Sequence, residues 1–355
     1  MSVKARAFAR HRLPEAPPGA YGDVRVGPLL SIPFILEERG LDPSRVLAQV
    51  GLDARLFDDP ENRMPFDALG KLLENCVRLT RCRHFGLLIG QHFKLDSLGV
   101  LGELMRNCPT VRDALRLAAL YLDLQDRGAV SLTLDLGDGK SALGYSLFGG
   151  KSLAAEQLLD GAMAIHYLLL RELCGPSWKP VLVQLSHSRP TNVVPLQKFF
   201  RANLEFDAQL SAIVFDSRWL DHRIAGADPA ALAAITEAVE SDRPQQAMPF
   251  LAQVRRAIHA MMFTGSVSSA NLARLFDLHE RTLRRRLAEE GVTVRGLVNE
   301  ARHELAHRLL RDTDLPVSEV AAVLRYSDVT AFARAFRGWS NMSPREWRAL
   351  SASAS

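Results

Sequence analysis

The residues best suited to chemistry form a run of arginines on one short segment: Arg281, Arg284, Arg285 and Arg286. A guanidinium is a rigid fork of donors that matches guanine edges and phosphate oxygens. The run closes a stretch from Ser268 to Leu287 that reads as two short helices and a turn, with the arginines on the second helix. In such a unit the second helix buries one face and shows the other to the major groove. Leu283 and Leu287 lie one turn apart and define the buried stripe. At about 100° per residue, Arg285 falls opposite that stripe and Arg281 close beside it, with Arg284 on one flank and Arg286 on the other. Arg281 and Arg285 are therefore expected at base edges, with Arg284 third, and Arg286 at phosphate.

A second unit runs from Val317 to Phe336. Phe332 and Phe336 form its buried pair, which turns Thr330 and Arg334 outward and puts Arg337 one turn further on. Leu272-Ala273 matches Val320-Ala321, and the Leu283/Leu287 pair matches Phe332/Phe336. The halves are an internal repeat, about 48–49 residues apart. One helical hairpin of this kind is a weak signal, whereas two in register, joined by a helix over Arg295–Arg311, are specific. Together they can address two successive major-groove faces without dimerising.

A different chemistry is offered by His303-Glu304-Leu305-Ala306-His307, which matches the HExxH of zinc peptidases. The segment lies in the joining helix, whose apolar stripe of Leu297, Ala301, Leu305 and Leu309 turns both histidines toward solvent. No third ligand or cleft is recognisable, so neither a metal nor a catalytic residue is expected. In the first part of the chain, His166, His187, Lys151 and Arg189 could line an effector pocket, although a lone histidine is more often a hydrogen-bonded structural residue. Cys76, Cys82, Cys108 and Cys174 have neither CxxC nor zinc-finger spacing and read as buried thiols of a cytoplasmic protein.

The elements that must hold these residues follow from period. From Leu29 to Tyr121 the pattern is helical: Leu72, Leu73, Cys76 and Val77 share a face, as do Leu101, Leu104 and Met105. Val111, Ala114, Leu115, Ala118 and Leu122 form another stripe, with Thr110 as N-cap. The period then becomes two over Val130–Leu136 and Leu143–Leu147, separated by Gly137-Asp138-Gly139, which predicts a hairpin. A long apolar helix is expected over Leu153–Cys174, closed by Gly175, with further strands at Val181–Leu185 and around Ile213–Phe215. Residues 226–249 are rich in Ala, Asp and Pro and read as a linker containing one helix over Ala230–Val239. Every later segment reads as helix.

Composition is that of an ordinary folded protein, 47% hydrophobic and 24% charged over 355 residues. From Gln245 onward there are 16 Arg, no Lys and 11 acidic residues, a net of +5, while 28 basic against 29 acidic residues leave the remainder at −1. The basic character thus sits with the paired units. The first two dozen residues form a loose basic leader without the apolar core of a signal peptide, and no stretch approaches a membrane span.

The segment from Val254 to Arg348 resembles the DNA-binding domain of the AraC/XylS family of bacterial regulators. Arg281–Gly291 resembles the first reading helix and its closing glycine, and Ala301–Leu310 the linker helix. Val320–Trp339 with Ser343-Pro344-Arg345-Glu346-Trp347-Arg348 resembles the C-terminal signature. Arg325 departs from it, standing where the family usually has glycine, which makes the second unit's base contacts less secure. The resemblance implies that Arg281, Arg284 and Arg285 face bases in one groove, and Thr330, Ala331 and Arg334 in the next. Phe85–Gly90, Leu98–Gly102, Pro109–Leu115, His187–Pro190 and Leu204–Asp207 resemble the arabinose-binding-like effector domain of the branch that includes ornithine-utilisation and virulence regulators.

The expected molecule has two domains: a mixed α+β N-terminal effector domain, and an all-α C-terminal domain whose two helix-turn-helix units are joined by a linker helix. The expected bounds are a flexible basic leader over 1–24, a regulatory domain over 25–225, a linker over 226–249 and a DNA-binding domain over 250–350. By resemblance it is a sequence-specific transcription regulator, an activator, acting on double-stranded DNA and on RNA polymerase under a small-molecule effector, in the cytoplasm, with no cofactor and no membrane. A homodimer is compatible with this. Three alternatives stay open: an N-terminal domain that only dimerises or holds a protein partner, one with its own enzyme activity, and a peptidase using His303 and His307.

Overall fold

Apolar residues at helical and alternating spacing dictate the elements of a computed structural model that describes residues 22–147, 153–208, 210–242, 250–264, 267–276, 278–312, 316–324 and 326–353. Its described residues divide into two units, one within residues 22–242 and the other within 250–353. In the first unit, β1 (Asp23–Arg25) pairs antiparallel with β2 (Arg63–Pro65). The helices α1 (Ser31–Glu38) and α2 (Pro43–Ala48) lie between these strands in sequence, and α3 (Phe66–Thr80), α4 (Phe85–Gln91), α5 (Val100–Arg106) and α6 (Val111–Leu120) follow. Then come β3 (Ala129–Gly137), β4 (Lys140–Leu147), α7 (Leu153–Cys174), β5 (Leu182–Gln184), α8 (Val194–Phe200), β6 (Asn203–Glu205), β7 (Ser211–Asp216) and α9 (Pro229–Asp242).

The sheet has the order β3-β4-β7-β5-β6, antiparallel except for the β5–β6 pair. Its β3–β4 turn is Asp138-Gly139, with φ of +50° and +68°. Positive φ at both positions matches the strand twist, and Asp-Gly adopts it readily. The long helix α7 packs on α3, α4, α6, β4 and β7 and so touches both apolar clusters. One cluster holds Ile32, Ile35, Leu36, Leu72 and Leu73; the other holds Leu101, Leu104, Leu115, Leu170 and Phe215. Gly175 closes α7 at φ +83°, and Thr110 caps α6 by accepting from the Asp113 N–H at 3.3 Å.

Two expectations need correction. The leader expected to reach residue 24 overlaps β1, because Asp23–Arg25 finds a partner strand 40 residues later in Arg63–Pro65; residues 1–21 lie outside the described residues. The helix expected over Ala230–Val239 forms as α9, but Leu232, Ile235 and Val239 at helical spacing pack it on the first unit's core, so residues 229–242 belong to that unit and not to a linker. The linker site proper at Arg243-Pro244 lies outside the described residues. The strands β1, β2 and β6, each of three residues, are too short to carry a period.

The second unit is all helix: α10 (Phe250–Thr264), α11 (Ser269–Leu275), α12 (Glu280–Glu289), α13 (Val294–Asp312), α14 (Val317–Val323), α15 (Val329–Ser340) and α16 (Pro344–Ser353). The pairs α11–α12 and α14–α15 are the two repeats, and α13 is the joining helix, packed against α10, α14, α15 and α16.

Candidate nucleic-acid interface

The first pair is built as its sequence requires. Ser268 Oγ accepts from the Asn271 N–H at 3.0 Å and starts α11, whose Leu272 and Ala273 are buried together with Phe276 just beyond it. On α12, Leu283 and Leu287 have no exposed surface, while Arg281, Arg284, Arg285 and Arg286 are all exposed. The helix closes at Glu290, followed by Gly291 at φ +71°. Arg284 pairs with Glu280 at 2.9 Å and Arg285 with Glu289 at 3.7 Å. Such exposed pairs are worth about 0–1 kcal/mol and yield readily to a stronger acceptor. Arg286 instead lies over the Phe250 ring, 5.4 Å from its centre, which holds it to the side of the unit.

In the second pair, Asp328 caps α15 by accepting from the Ala331 N–H at 2.7 Å. That bond, with the Ser327 hydroxyl, holds the carboxyl below the usual aspartate range. Phe332 and Phe336 are fully buried. Thr330, Arg334 and Arg337 are exposed and Ala331 is half-buried. Tyr326, at the end of the turn, packs on Phe332 with ring centres 5.5 Å apart, and Arg302 of α13 lies over its other side at 5.3 Å. Arg325 lies outside the described residues.

Between the two pairs runs a cleft of about 710 Å³ whose lining includes Arg295, Arg302 and Arg334 along with Ser268 and Asn299. Arg295 and Arg302 stand on the joining helix and not on a second helix of either pair, so the helix-turn-helix pattern does not single them out. Their seven-residue spacing, two turns on one face of α13, is the signal that marks them.

The two histidines of the HExxH match do not face solvent. Ser340 Oγ of α15 lies 2.8 Å from His307 Nε2 and 3.3 Å from His303 Nε2. His307 stacks on Phe336 and meets Trp347 at 3.9 Å between ring centres, and His303 lies against Trp339. Burial lowers the His303 pKa. The expected stripe also shifts: Leu297 and Ala301 are buried, but the line continues through Ala306 and Leu310, with Leu305 half-buried. The cause is that α13 is packed on several sides, so no single stripe describes it. These half-buried rings pack between the joining helix and the second pair. Among the described residues, no cluster of three metal-ligating side chains occurs.

In the first unit, His187 is a buried structural residue: Nε2 sits 2.9 Å from Asp160 Oδ1 and Nδ1 3.0 Å from the Ser188 carbonyl. With an acceptor at each nitrogen, the protonated ring can donate on both sides. Burial opposes protonation, yet Asp160 outweighs it and the pKa is raised. Arg189 is exposed and lies over Phe206. His166 lines a cavity between the helices and the sheet, and Lys151 lies outside the described residues. The four cysteines are buried and unpaired; burial pushes Cys76, Cys108 and Cys174 up to about 12. Among the described residues, no helix is long and apolar enough to cross a membrane.

Comparison with known proteins matches residues 40–224 to the arabinose-binding domain of AraC transcription regulator, N-terminal, and residues 272–350 to a helix-turn-helix domain. The chain is similar to the HTH-type transcriptional regulator VirS of Mycobacterium tuberculosis, 26% identical over 89% of this chain and 93% of that protein. It is 25% identical to the ornithine utilization regulator of Pseudomonas aeruginosa over 88% of this chain and 93% of that protein. The transcriptional activator NphR of Rhodococcus sp is 32% identical over 28% of this chain and 29% of its own length.

Proposed function

The chain belongs to the AraC family of DNA-binding transcription regulators, and from that premise we propose that it is an effector-controlled activator reading a bipartite site. Its family is one of regulators and not of enzymes. Arg281, Arg285 and Arg284 contact bases in one major-groove segment. Thr330, Ala331 and Arg334 contact bases in the next, about one helical turn away. Arg286 and Arg337 engage phosphates. The observation that carries this reading is the repeat itself: twice, a fully buried pair on the second helix of a unit leaves arginine exposed on the other face.

The effector acts on the first unit, residues 25–242, and the unit after residue 249 holds the DNA. For control to follow, the effector must bind two states of the protein with different affinity. Activation through RNA polymerase rests on the likeness to NphR, whose name records an activator. The protein works in the cytoplasm, where its DNA is, and a homodimer on DNA is compatible with the tandem reading.

Selection of DNA sites in vitro by the purified protein, beside the double variant Arg285→Ala/Arg334→Ala, tests the proposal. The expected result is a two-part motif that blurs in both halves in the variant. A motif indifferent to both arginines overturns the assignment of reading residues.

A further inference from the structure

The first unit has a hollow core. A cavity of about 130 Å³ lies among α3, α4, α5, α6, α7 and the β3–β4 face, lined mainly by side chains such as Leu69, Leu73, Ile89, Leu101, Leu115 and Ile165. Native interiors are close-packed, and voids larger than a water molecule are few. For scale, an apolar cavity of roughly 150 Å³ accommodates benzene.

Among the described residues, six polar side chains line the cavity: Gln125 and Gln157, each hydrogen-bonded to nearby backbone, Ser131 of β3, and the contacting group of Asp126, Tyr145 and His166. Asp126 is satisfied, because the Gly128 N–H donates to Oδ1 at 2.6 Å and the Tyr145 hydroxyl donates to Oδ2. His166, on α7, is 9% exposed and packs edge-on to Tyr145 with ring centres 5.6 Å apart. Its Nδ1 is buried without a hydrogen-bond partner. An orphaned polar atom costs free energy that a bound partner can recover.

Charge narrows the class. Among the described residues, no lysine or arginine lines the cavity, and Asp126 is the one acidic side chain that does. Burial pushes the His166 pKa down to about 4, so this ring is neutral near pH 7. An anionic ligand would be buried beside a carboxylate with no counter-charge, which is costly. A cation would have to displace the donors that Asp126 already has.

We propose that this cavity takes an uncharged, chiefly hydrocarbon molecule of about six to ten non-hydrogen atoms, whose single oxygen hydrogen-bonds to His166 Nδ1. As an effector site it rests on the effector-controlled reading above; the ligand class rests on the cavity alone.

The test is binding to the full chain, followed by calorimetry, of two matched series: hexanol, hexanoate and hexylamine, and benzyl alcohol, benzoate and benzylamine. The alcohols should bind at least about tenfold more tightly than either charged counterpart. His166→Phe, which keeps the volume and removes the nitrogen, should weaken the alcohols by up to about tenfold, the worth of one neutral hydrogen bond, and leave toluene unchanged. Ala118→Leu, from the lining, should weaken all of them. Charged compounds binding as tightly as the alcohols, binding that survives both substitutions, or no binding by either alcohol would each overturn the proposal. Affinity for the selected DNA site is read in parallel. A bound alcohol that leaves that affinity unaltered contradicts the effector-controlled reading and not the ligand class.

Discussion

The arginines of α12 are chemically alike and differ in what holds them. Arg285 and Arg284 rest in exposed pairs with Glu289 and Glu280, whereas Arg286 is laid on Phe250. Replacing Arg285 with alanine should cost about 1–3 kcal/mol on the preferred site and relax selection at one base position. Replacing Arg286 should weaken binding across all sequences and lower the salt slope by about one. Anisotropy titrations against single-base variants at several salt concentrations separate the two outcomes. A buried histidine gives a second residue-scale result. His187 has a raised pKa in the folded state, so its contribution is fully present below the unfolded value of 6.5 and is lost as pH rises through the folded value. His166 is held near 4, so its neutral burial costs stability as pH falls from 6.5 toward 4. The first unit's stability from these two residues should peak near pH 6.5. Urea unfolding from acid to alkaline pH should show an alkaline decline that His187→Gln removes.

At the scale of elements, the first unit depends on helices that approach closely. A Cβ at Gly86 of α4 would lie 1.9 Å from the Gln157 carbonyl oxygen of α7, and one at Gly90 would lie 2.4 Å from the Ala164 Cβ. Gly86→Ala should therefore lower stability by roughly 1–3 kcal/mol through overpacking, visible as a lower urea midpoint with an unchanged slope. Thr110→Ala, which removes the cap of α6, should cost about 1 kcal/mol. These elements also show what a sequence makes legible. Where period and punctuation agree, as for α6 with its Thr110 cap, α7 with Gly175 and the Asp138-Gly139 hairpin, the elements form as the pattern predicts. Strands of three residues such as β1 and β6 carry no period, since they form by pairing with partners found only in the fold. The helix α9 is legible over Ala230–Val239, but its packing on the first unit is not, because an alanine-rich helix suits a linker equally well. On α13, packing on several sides erases the single stripe, and the two histidines expected at solvent are half-buried against Ser340 and aromatic rings. The four arginines of α12 were legible because one exposed face needs only one period. The cavity was not, because its walls come from five helices and three strands far apart in sequence.

At the scale of the whole molecule, a regulator needs two things in one chain: a surface that reads DNA and an interior that can change its balance of states. The second unit offers two helix pairs for the first requirement, with its net positive charge carried by arginines. The first unit carries a hollow core whose filling would favour whichever state contains it. Engagement of successive major-groove faces by two reading helices of one chain, held as a fixed pair, is what the proposed function requires. It is tested most directly by inserting base pairs between the halves of the selected site. An insertion of about five base pairs turns one half to the opposite side of the duplex. Affinity should then fall to that of a site with only one intact half, and Arg334→Ala should add little further loss. Affinity unchanged by the insertion would contradict the account.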